Sequence, residues 1–226
     1  MINHPVEGRG RQAPPEVRLD LLDGVARIRF DRPPVNAFTA DMFRQLRAHL
    51  QRADESLVPV LLTGANGRFS AGFDVNQPGL NDPATADEAH QCVAAIQDHP
   101  APVVAAVEGA AVGIGLLIAV SADILVISRS ARLGMPEVRL GIDSDAAPLR
   151  RFLPDPWIRR ICLSGETFTA ADLRIDCYGA TVCQPGTAEE TAEGVLGSFS
   201  AIGAENLKRA KRGLARHLFD VKGSWA

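Results

Sequence analysis

The stretch that decides the fold is Val107-Glu108-Gly109-Ala110-Ala111-Val112-Gly113-Ile114-Gly115-Leu116-Leu117. It joins an apolar strand to an apolar helix through glycines, so the turn between them is predicted to lie inside the protein. Glycine lets the backbone approach a ligand closely, and the first turn of a helix offers unpaired N–H groups. The stretch indicates either a backbone site for a negatively charged oxygen or a tight connection in which glycine serves packing alone.

Two common nucleotide sites do not match this turn. Gly113-Ile114-Gly115 is followed by Leu116, Leu117 and Ile118, so the third glycine of a dinucleotide fingerprint is missing. The Gly-Lys-Ser/Thr of a Walker loop is also missing from it. The turn and the start of its helix carry no acid beyond Glu108, and this lack bears on the chemistry.

The composition indicates one well-buried domain. The chain has 226 residues, 46% of them hydrophobic, and its net charge of -3 gives no general attraction to nucleic acid or anionic lipid. Residues 1–15 are polar, which predicts a flexible N-terminal segment without the apolar core of a signal peptide. No apolar run is long enough to span a membrane, so we expect a cytoplasmic protein without membrane or nucleic-acid partners. The four cysteines lack paired ligand spacing, so no metal is expected.

Strands and helices alternate along residues 16–143, which predicts an α/β core with a parallel sheet. Asp23-Gly24 indicates a hairpin near its start. Thr39 is predicted to begin a helix, residues 57–63 to form a buried strand, and Thr85 with Glu88 to form a capping box on a helix over 85–98. Residues 144–226 have helical spacing broken by proline turns, which predicts a helical C-terminal region.

Five short motifs stand in order along the chain. They are Pro33-Pro34-Val35-Asn36-Ala37, Phe69-Ser70-Ala71-Gly72-Phe73-Asp74, the turn from Gly109 to Gly115, Ala122-Asp123-Ile124, and Gly134-Met135-Pro136-Glu137 with Leu140-Gly141. In order and spacing the chain resembles the crotonase superfamily, the enoyl-CoA hydratases and isomerases. The resemblance implies a crotonase-like spiral of ββα units and a homotrimer or dimer of trimers. It also implies an acyl-CoA or acyl-pantetheine thioester as substrate, without a further cofactor.

The resemblance also implies roles for single residues. The backbone N–H groups of Phe73 and Ile114 would form an oxyanion hole for the thioester carbonyl. Six residues would bind CoA, namely Asn36, Ala37, Ala71, Gly72, Asp74 and Gly113. The carbonyl of Ala71 would lie near the adenine. Ser70 has the wrong spacing for a Gly-x-Ser-x-Gly nucleophile, and we do not expect it to be one.

Two glutamates carry the proton and the water in hydratases of this superfamily, and the chain has Leu117 at the first position and Glu137 at the second. Addition of water needs two such groups, whereas one base can carry a proton between two carbons. The resemblance therefore favours double-bond isomerisation, with Glu137 catalytic and Asp145 assisting. The alternative for Glu137 is an acid that the first turn of a helix favours, and for Asp145 it is a helix cap.

Two other functions stay open. One is hydratase or hydrolase-type chemistry that uses Asp145 and His90, although His90 by itself is typical of a solvent-facing helix residue. The other is a catalytically silent acyl-CoA-binding or assembly protein. It is motivated by Leu117, by Val35 where relatives have a basic residue, and by a C-terminus that is short for the family. The basic cluster at 208–212 is either a solvated face or a contact for CoA phosphates.

Overall fold

The computed structural model describes residues 16–77, 82–143 and 145–218, with side chains up to residue 214. The predicted flexible segment 1–15 lies outside them. The described strands are β1 Val17–Leu22, β2 Val25–Phe30, β3 Val60–Gly64, β4 Val103–Val107, β5 Ala110–Val112, β6 Ile124–Ser128, β7 Arg132–Gly134, β8 Thr167–Thr169 and β9 Thr181–Cys183. Six of them form the main sheet in the order β1-β2-β3-β4-β6-β9, and three short strands form a second sheet in the order β5-β7-β8. This α/β architecture confirms the predicted fold class.

The main sheet is parallel except at its first edge. Only β1 and β2 run antiparallel, joined at Asp23 and Gly24, which both adopt left-handed φ angles of 53° and 72°. A two-residue hairpin turn whose twist matches that of the strands requires positive φ at both of its central residues. The other neighbouring pairs of this sheet, β2-β3, β3-β4, β4-β6 and β6-β9, are parallel. Their carboxyl ends therefore lie at one edge of the sheet.

Seven α-helices pack around the sheets in the described part of the chain. They are α1 Ala40–Ser56, α2 Pro83–Gln97, α3 Ile114–Ser121, α4 Asp155–Ser164, α5 Ala170–Leu173, α6 Ala188–Gly197 and α7 Ala204–Leu218. Every residue of α3 is buried, as its apolar sequence predicts. The aromatic part of the core joins Phe30, Phe38 and Phe69 through edge-to-face contacts.

Three local predictions differ from the structure. The capping box at Thr85 and Glu88 is wrong, because α2 begins at Pro83 and Asp82 accepts the hydrogen bond of the Ala84 N–H. The strand predicted from residue 57 begins at Val60, since Leu57 ends α1 in a left-handed conformation. The helical C-terminal region also contains β8 and β9, each three residues long. Such short strands have too few residues to show an alternating pattern.

No helix in residues 16–77, 82–143 or 145–218 is long and apolar enough to cross a membrane.

Candidate functional site

Two loops from the carboxyl ends of β3 and β4 meet at one point. The N–H of Ser70 donates to the carbonyl of Ala110 at 2.8 Å, and the N–H of Val112 donates to the carbonyl of Ser70 at 3.0 Å. Gly72 then passes so close to the second loop that a Cβ on it would lie 2.8 Å from the Val112 oxygen. Glycine is required at residue 72 because any side chain would force the two loops apart.

Phe73 directly follows Gly72 in the first loop, and Ile114 follows Gly113 in the second. Both residues line one pocket. Phe38 pairs with the neighbours of Phe73, since it donates to the carbonyl of Gly72 and accepts from the N–H of Asp74. Ile114 is the first residue of α3, where an N–H has no intrahelical acceptor. Neither N–H has an acceptor within the described residues. The two donors are therefore free to receive an oxygen atom of a ligand.

Glu137 brings a buried carboxyl to the same pocket. It lies in a short 3₁₀ turn, Pro136–Arg139, and only 6% of the residue is exposed. Its Oε2 has no hydrogen-bond partner within the described residues, and burial raises the pKa of the carboxyl above its ordinary value. A Cβ on Gly113 would lie 2.4 Å from Oε1, so the carboxyl packs against the residue before Ile114. A carboxyl of this kind is suited to exchange a proton with a bound ligand.

The turn that carries Glu137 is held from two sides. The Glu137 carbonyl accepts the N–H groups of Leu140 and Ile142 at 2.9 and 3.1 Å. The guanidinium of Arg139 donates twice to the carbonyl of Ser164 at the end of α4, at 3.2 and 3.0 Å. A fixed turn matters because a proton carrier acts only within hydrogen-bond reach of its target.

The pocket has a mainly apolar interior of about 70 Å³. Leu117 lies one turn after Ile114 on α3, is 7% exposed, and lines this interior. The remaining lining residues are Ala86, Ala89, His90, Val93, Asp143, Asp145 and Pro148. The position at which the sequence lacks an acid therefore faces the ligand space, and Glu137 is the buried carboxyl of the pocket.

Asp145 and His90 lie at the exposed mouth of the pocket. One oxygen of Asp145 accepts the N–H of Ala147 at 2.9 Å, as expected of a residue that caps a turn. The second oxygen has no such bond within the described chain. His90 is an exposed residue of α2. The structure thus brings Glu137, Asp145 and His90 to one pocket, with only Glu137 buried.

Two of the residues predicted to bind CoA use their side chains within the protein. The amide of Asn36 is buried and donates to the carbonyls of Ala65 and Arg68 at 3.1 and 2.7 Å. The carboxylate of Asp74 accepts the N–H of Asn76 and pairs with Arg32 at 2.6 Å, and these partners lower its pKa.

The other four predicted CoA-binding residues, Ala37, Ala71, Gly72 and Gly113, have no polar side-chain atoms. The carbonyl of Ala37 accepts a hydrogen bond from the Arg32 guanidinium at 3.1 Å, and the N–H of Ala71 donates to the carbonyl of Val35 at 3.0 Å. Gly72 and Gly113 lie where the two loops meet. The pairing of Arg32 with Asp74 was not predicted, because a single sequence does not indicate which acidic residue an arginine contacts.

Ser70 has a structural role in the first loop. Its hydroxyl donates to the carbonyl of Asn36 at 2.8 Å and accepts the N–H of Gly72 at 3.1 Å. A Cβ on Gly115 would lie 2.8 Å from the Ser70 Cβ, so the side chain is enclosed by α3. The hydroxyl proton is therefore engaged in a hydrogen bond within the protein.

The basic cluster at 208–212 does not line this pocket. Lys211 is buried, and its Nζ lies 2.7 Å from the Asp123 carboxylate and 3.1 Å from the carbonyl of Ala101. This pair fixes α7 to the core. Lys208 and Arg212 line a separate groove beside Asp98 and His99. No group of three or more His, Cys, Asp or Glu residues in the described ranges is arranged to hold a metal ion.

Comparison with known proteins gives matches over most of the chain. Residues 21–176 match the family model described as Enoyl-CoA hydratase/isomerase. The chain is 37% identical over 125 residues to the Peroxisomal bifunctional enzyme of Homo sapiens, covering 54% of this chain and 17% of that protein. It is 30% identical over 199 residues to the (7aS)-7a-methyl-1,5-dioxo-2,3,5,6,7,7a-hexahydro-1H-indene-carboxyl-CoA hydrolase of Rhodococcus jostii, covering 85% of this chain and 77% of that protein.

Solved structures agree on the fold. The enoyl-CoA hydratase of Mycobacterium smegmatis superposes with a TM-score of 0.82 at 23% identity, covering 90% of this chain and 83% of that one. At this identity the match supports the fold alone.

Proposed function

The chain belongs to the enoyl-CoA hydratase/isomerase family, and we propose that it binds an acyl-CoA or acyl-pantetheine thioester and transfers a proton with Glu137. The observation that carries this proposal is the buried Glu137 carboxyl, which has an unpartnered Oε2 within the described chain and packs against Gly113. A buried polar atom without a partner costs folding free energy, so its presence in a pocket favours a chemical role.

The free N–H groups of Phe73 and Ile114 support the other half of the proposal. Phe73 lies in a loop fixed by backbone hydrogen bonds and Ile114 begins α3, so both donors would be in place before the substrate arrives. Donors aimed at an oxygen that gains negative charge in the reaction contribute about 3 kcal/mol each. We propose that they hold the thioester oxygen.

Isomerisation of a 3-enoyl thioester is the reaction that this set of groups supports best. The Glu137 carboxylate takes a proton from C2, and the electron pair of that C–H bond moves through the thioester carbonyl to give a dienolate. The dienolate oxygen accepts hydrogen bonds from Phe73 and Ile114. The Glu137 carboxylic acid then returns the proton to C4, which leaves a 2-enoyl product. The reaction consumes no redox equivalent, so we propose that no cofactor is needed.

Leu117 supports isomerisation over hydration. Addition of water requires one group to orient the water and another to deliver a proton. Leu117 has no polar atom to hold a water in the pocket interior that it lines. Asp145 is proposed to assist from the pocket mouth through its second carboxylate oxygen.

Solvent deuterium incorporation tests the proposal. The wild type is incubated with 3-enoyl-CoA in D₂O, and mass spectrometry follows deuterium at C2 and C4 and the appearance of 2-enoyl-CoA. Glu137→Gln should reduce turnover about 10²- to 10⁴-fold, the usual contribution of a general base. Glu190→Gln, an exposed residue outside the pocket, is the control and should keep wild-type turnover. Full activity in Glu137→Gln would refute the assignment, and binding without turnover in the wild type would indicate the silent acyl-CoA binder.

Hydrolysis is the second candidate. The relative from Rhodococcus jostii that covers most of this chain is a hydrolase of a carboxyl-CoA compound. Asp145 and His90 lie at the mouth of the same pocket, where they could activate a water. Oxygen-18 from labelled water in the product, lost in Asp145→Asn, would select hydrolysis over isomerisation.

The assembly and the location stay predictions. We propose a homotrimer or a dimer of trimers in the cytoplasm. Light scattering should then give three or six times the chain mass of 24.1 kDa. A single-chain mass would overturn the proposed assembly.

A further inference from the structure

The mouth of the Glu137 pocket carries more negative than positive charge. Asp143, Asp145 and His90 line it and are exposed, whereas the walls below them are apolar. None of the residues that line the pocket is Lys or Arg. An acyl group that runs from a thioester at Phe73 and Ile114 along these apolar walls to the mouth would meet carboxylates there.

The two aspartates have acceptor atoms to spare. Asp143 makes no hydrogen bond or ion pair with any described residue, and Asp145 uses one oxygen for the Ala147 N–H at 2.9 Å. An ionised carboxylate accepts hydrogen bonds and donates none. The unpartnered Oε2 of Glu137, nine-tenths buried in the same pocket, independently indicates that a ligand completes this space.

We propose that the acyl pocket selects an acyl group with a hydroxyl at its far end and rejects one with a carboxylate there. This inference rests on the proposed function, which sets the position of the thioester. A hydroxyl can donate to Asp143 and accept from His90. A terminal carboxylate would be repelled by two like charges, and such a contact discriminates among ligands even where solvent weakens it.

Binding of saturated acyl-CoA thioesters tests the proposal without depending on turnover. Three ligands of one chain length, ending in methyl, hydroxyl or carboxylate, are titrated by calorimetry at low salt, and the series is repeated at several lengths. At the length that reaches the mouth, the hydroxyl ligand should bind about fivefold more tightly than the methyl ligand. The carboxylate ligand should bind about tenfold more weakly, and the penalty should shrink as salt screens the exposed charges.

Two variants locate the effect. Asp143→Asn should bring the carboxylate ligand to within about threefold of the methyl ligand. Asp87→Asn, an exposed α2 carboxylate outside the pocket, should keep the wild-type penalty. Equal binding of the three ligands at every length, or an unchanged penalty in Asp143→Asn, would overturn the inference while leaving the proposed function standing. Absence of binding by every thioester would overturn the proposed function itself.

Discussion

Gly113 is the residue at which backbone conformation and the proposed proton carrier meet. Its φ of 56° and ψ of -129° lie in a region that residues with side chains avoid. A Cβ on it would lie 2.4 Å from Oε1 of Glu137, whereas ordinary contact begins near 3.4 Å. In Gly113→Ala, the carboxyl must therefore withdraw by about 1 Å, the difference between these two distances.

A displacement of this size should affect activity more than folding. A misplacement of about 1 Å costs about 10²-fold in rate, because proton transfer needs hydrogen-bond reach. The unfavourable backbone conformation should lower the free energy of unfolding by about 1–3 kcal/mol. Turnover of 3-enoyl-CoA and urea unfolding, measured on the same preparation, separate the two effects.

Gly24→Ala is the matched control for this experiment. Gly24 also has a positive φ, of 72°, but no atom lies within 4 Å of a Cβ built on it, and it belongs to the β1–β2 hairpin. The control should lose stability and keep turnover. Combining Gly113→Ala with Glu137→Gln should add little to the loss caused by Glu137→Gln alone, since both changes remove the same group. Wild-type turnover in Gly113→Ala, or fully additive losses in the double variant, would refute the reasoning.

Three further predictions concern buried residues, namely Glu137, Lys211 and Leu117. Burial raises the pKa of Glu137 above 4.5, so the folded state holds this proton more tightly than the unfolded state does. The resulting stability is fully present in acid and is lost as the pH rises through the raised pKa. Glu137→Gln cannot ionise, so urea unfolding should show it more stable than wild type by on the order of 1 kcal/mol at pH 8 and equal to it near pH 4; equal stability at both pH values would contradict this. Lys211→Met removes the nearer of the two cations beside Asp123, which keeps Arg151 at 3.9 Å, and should lower the free energy of unfolding by about 1–2 kcal/mol, against less than about 0.5 kcal/mol for Lys208→Met. Similar losses in both would exclude the proposed anchoring of α7. Leu117→Glu should catalyse measurable hydration of 2-enoyl-CoA, monitored as the loss of the absorbance of 2-enoyl-CoA, whereas Leu117→Gln should not. Equal behaviour of the two variants would argue against the role given to residue 117.

The fold was predictable where the sequence pattern is long and regular. The apolar run that begins at Ile114 predicts a buried helix, and α3 spans Ile114–Ser121. Asp23-Gly24 predicts a hairpin, and both residues take the left-handed conformation. Short elements escaped prediction because three residues, as in β8 or β9, carry too little periodicity to distinguish a strand from a loop.

The candidate site was predictable in outline for a topological reason. Loops at the carboxyl ends of neighbouring parallel strands must lie close together, and the loops after β3 and β4 do so. Side-chain partners were not predictable in this way. Arg32 meets Asp74 across 42 residues, and Asn36 meets the carbonyl of Arg68 across 32. Such pairs depend on how the loops fold over one another, which local sequence does not encode.

Leu117 and Glu137 are best understood together. An acid at residue 117 would offer a second carboxylate for water addition, whereas a leucine supplies apolar surface to the pocket that Glu137 also lines. Apolar surroundings disfavour the charged form of a carboxyl, and burial is the main cause of the raised pKa of Glu137. A carboxylate with a raised pKa is a stronger base toward a C–H proton, so apolar surroundings favour the first proton transfer. The leucine would thus remove the hydratase reaction and at the same time strengthen the remaining glutamate as a proton carrier.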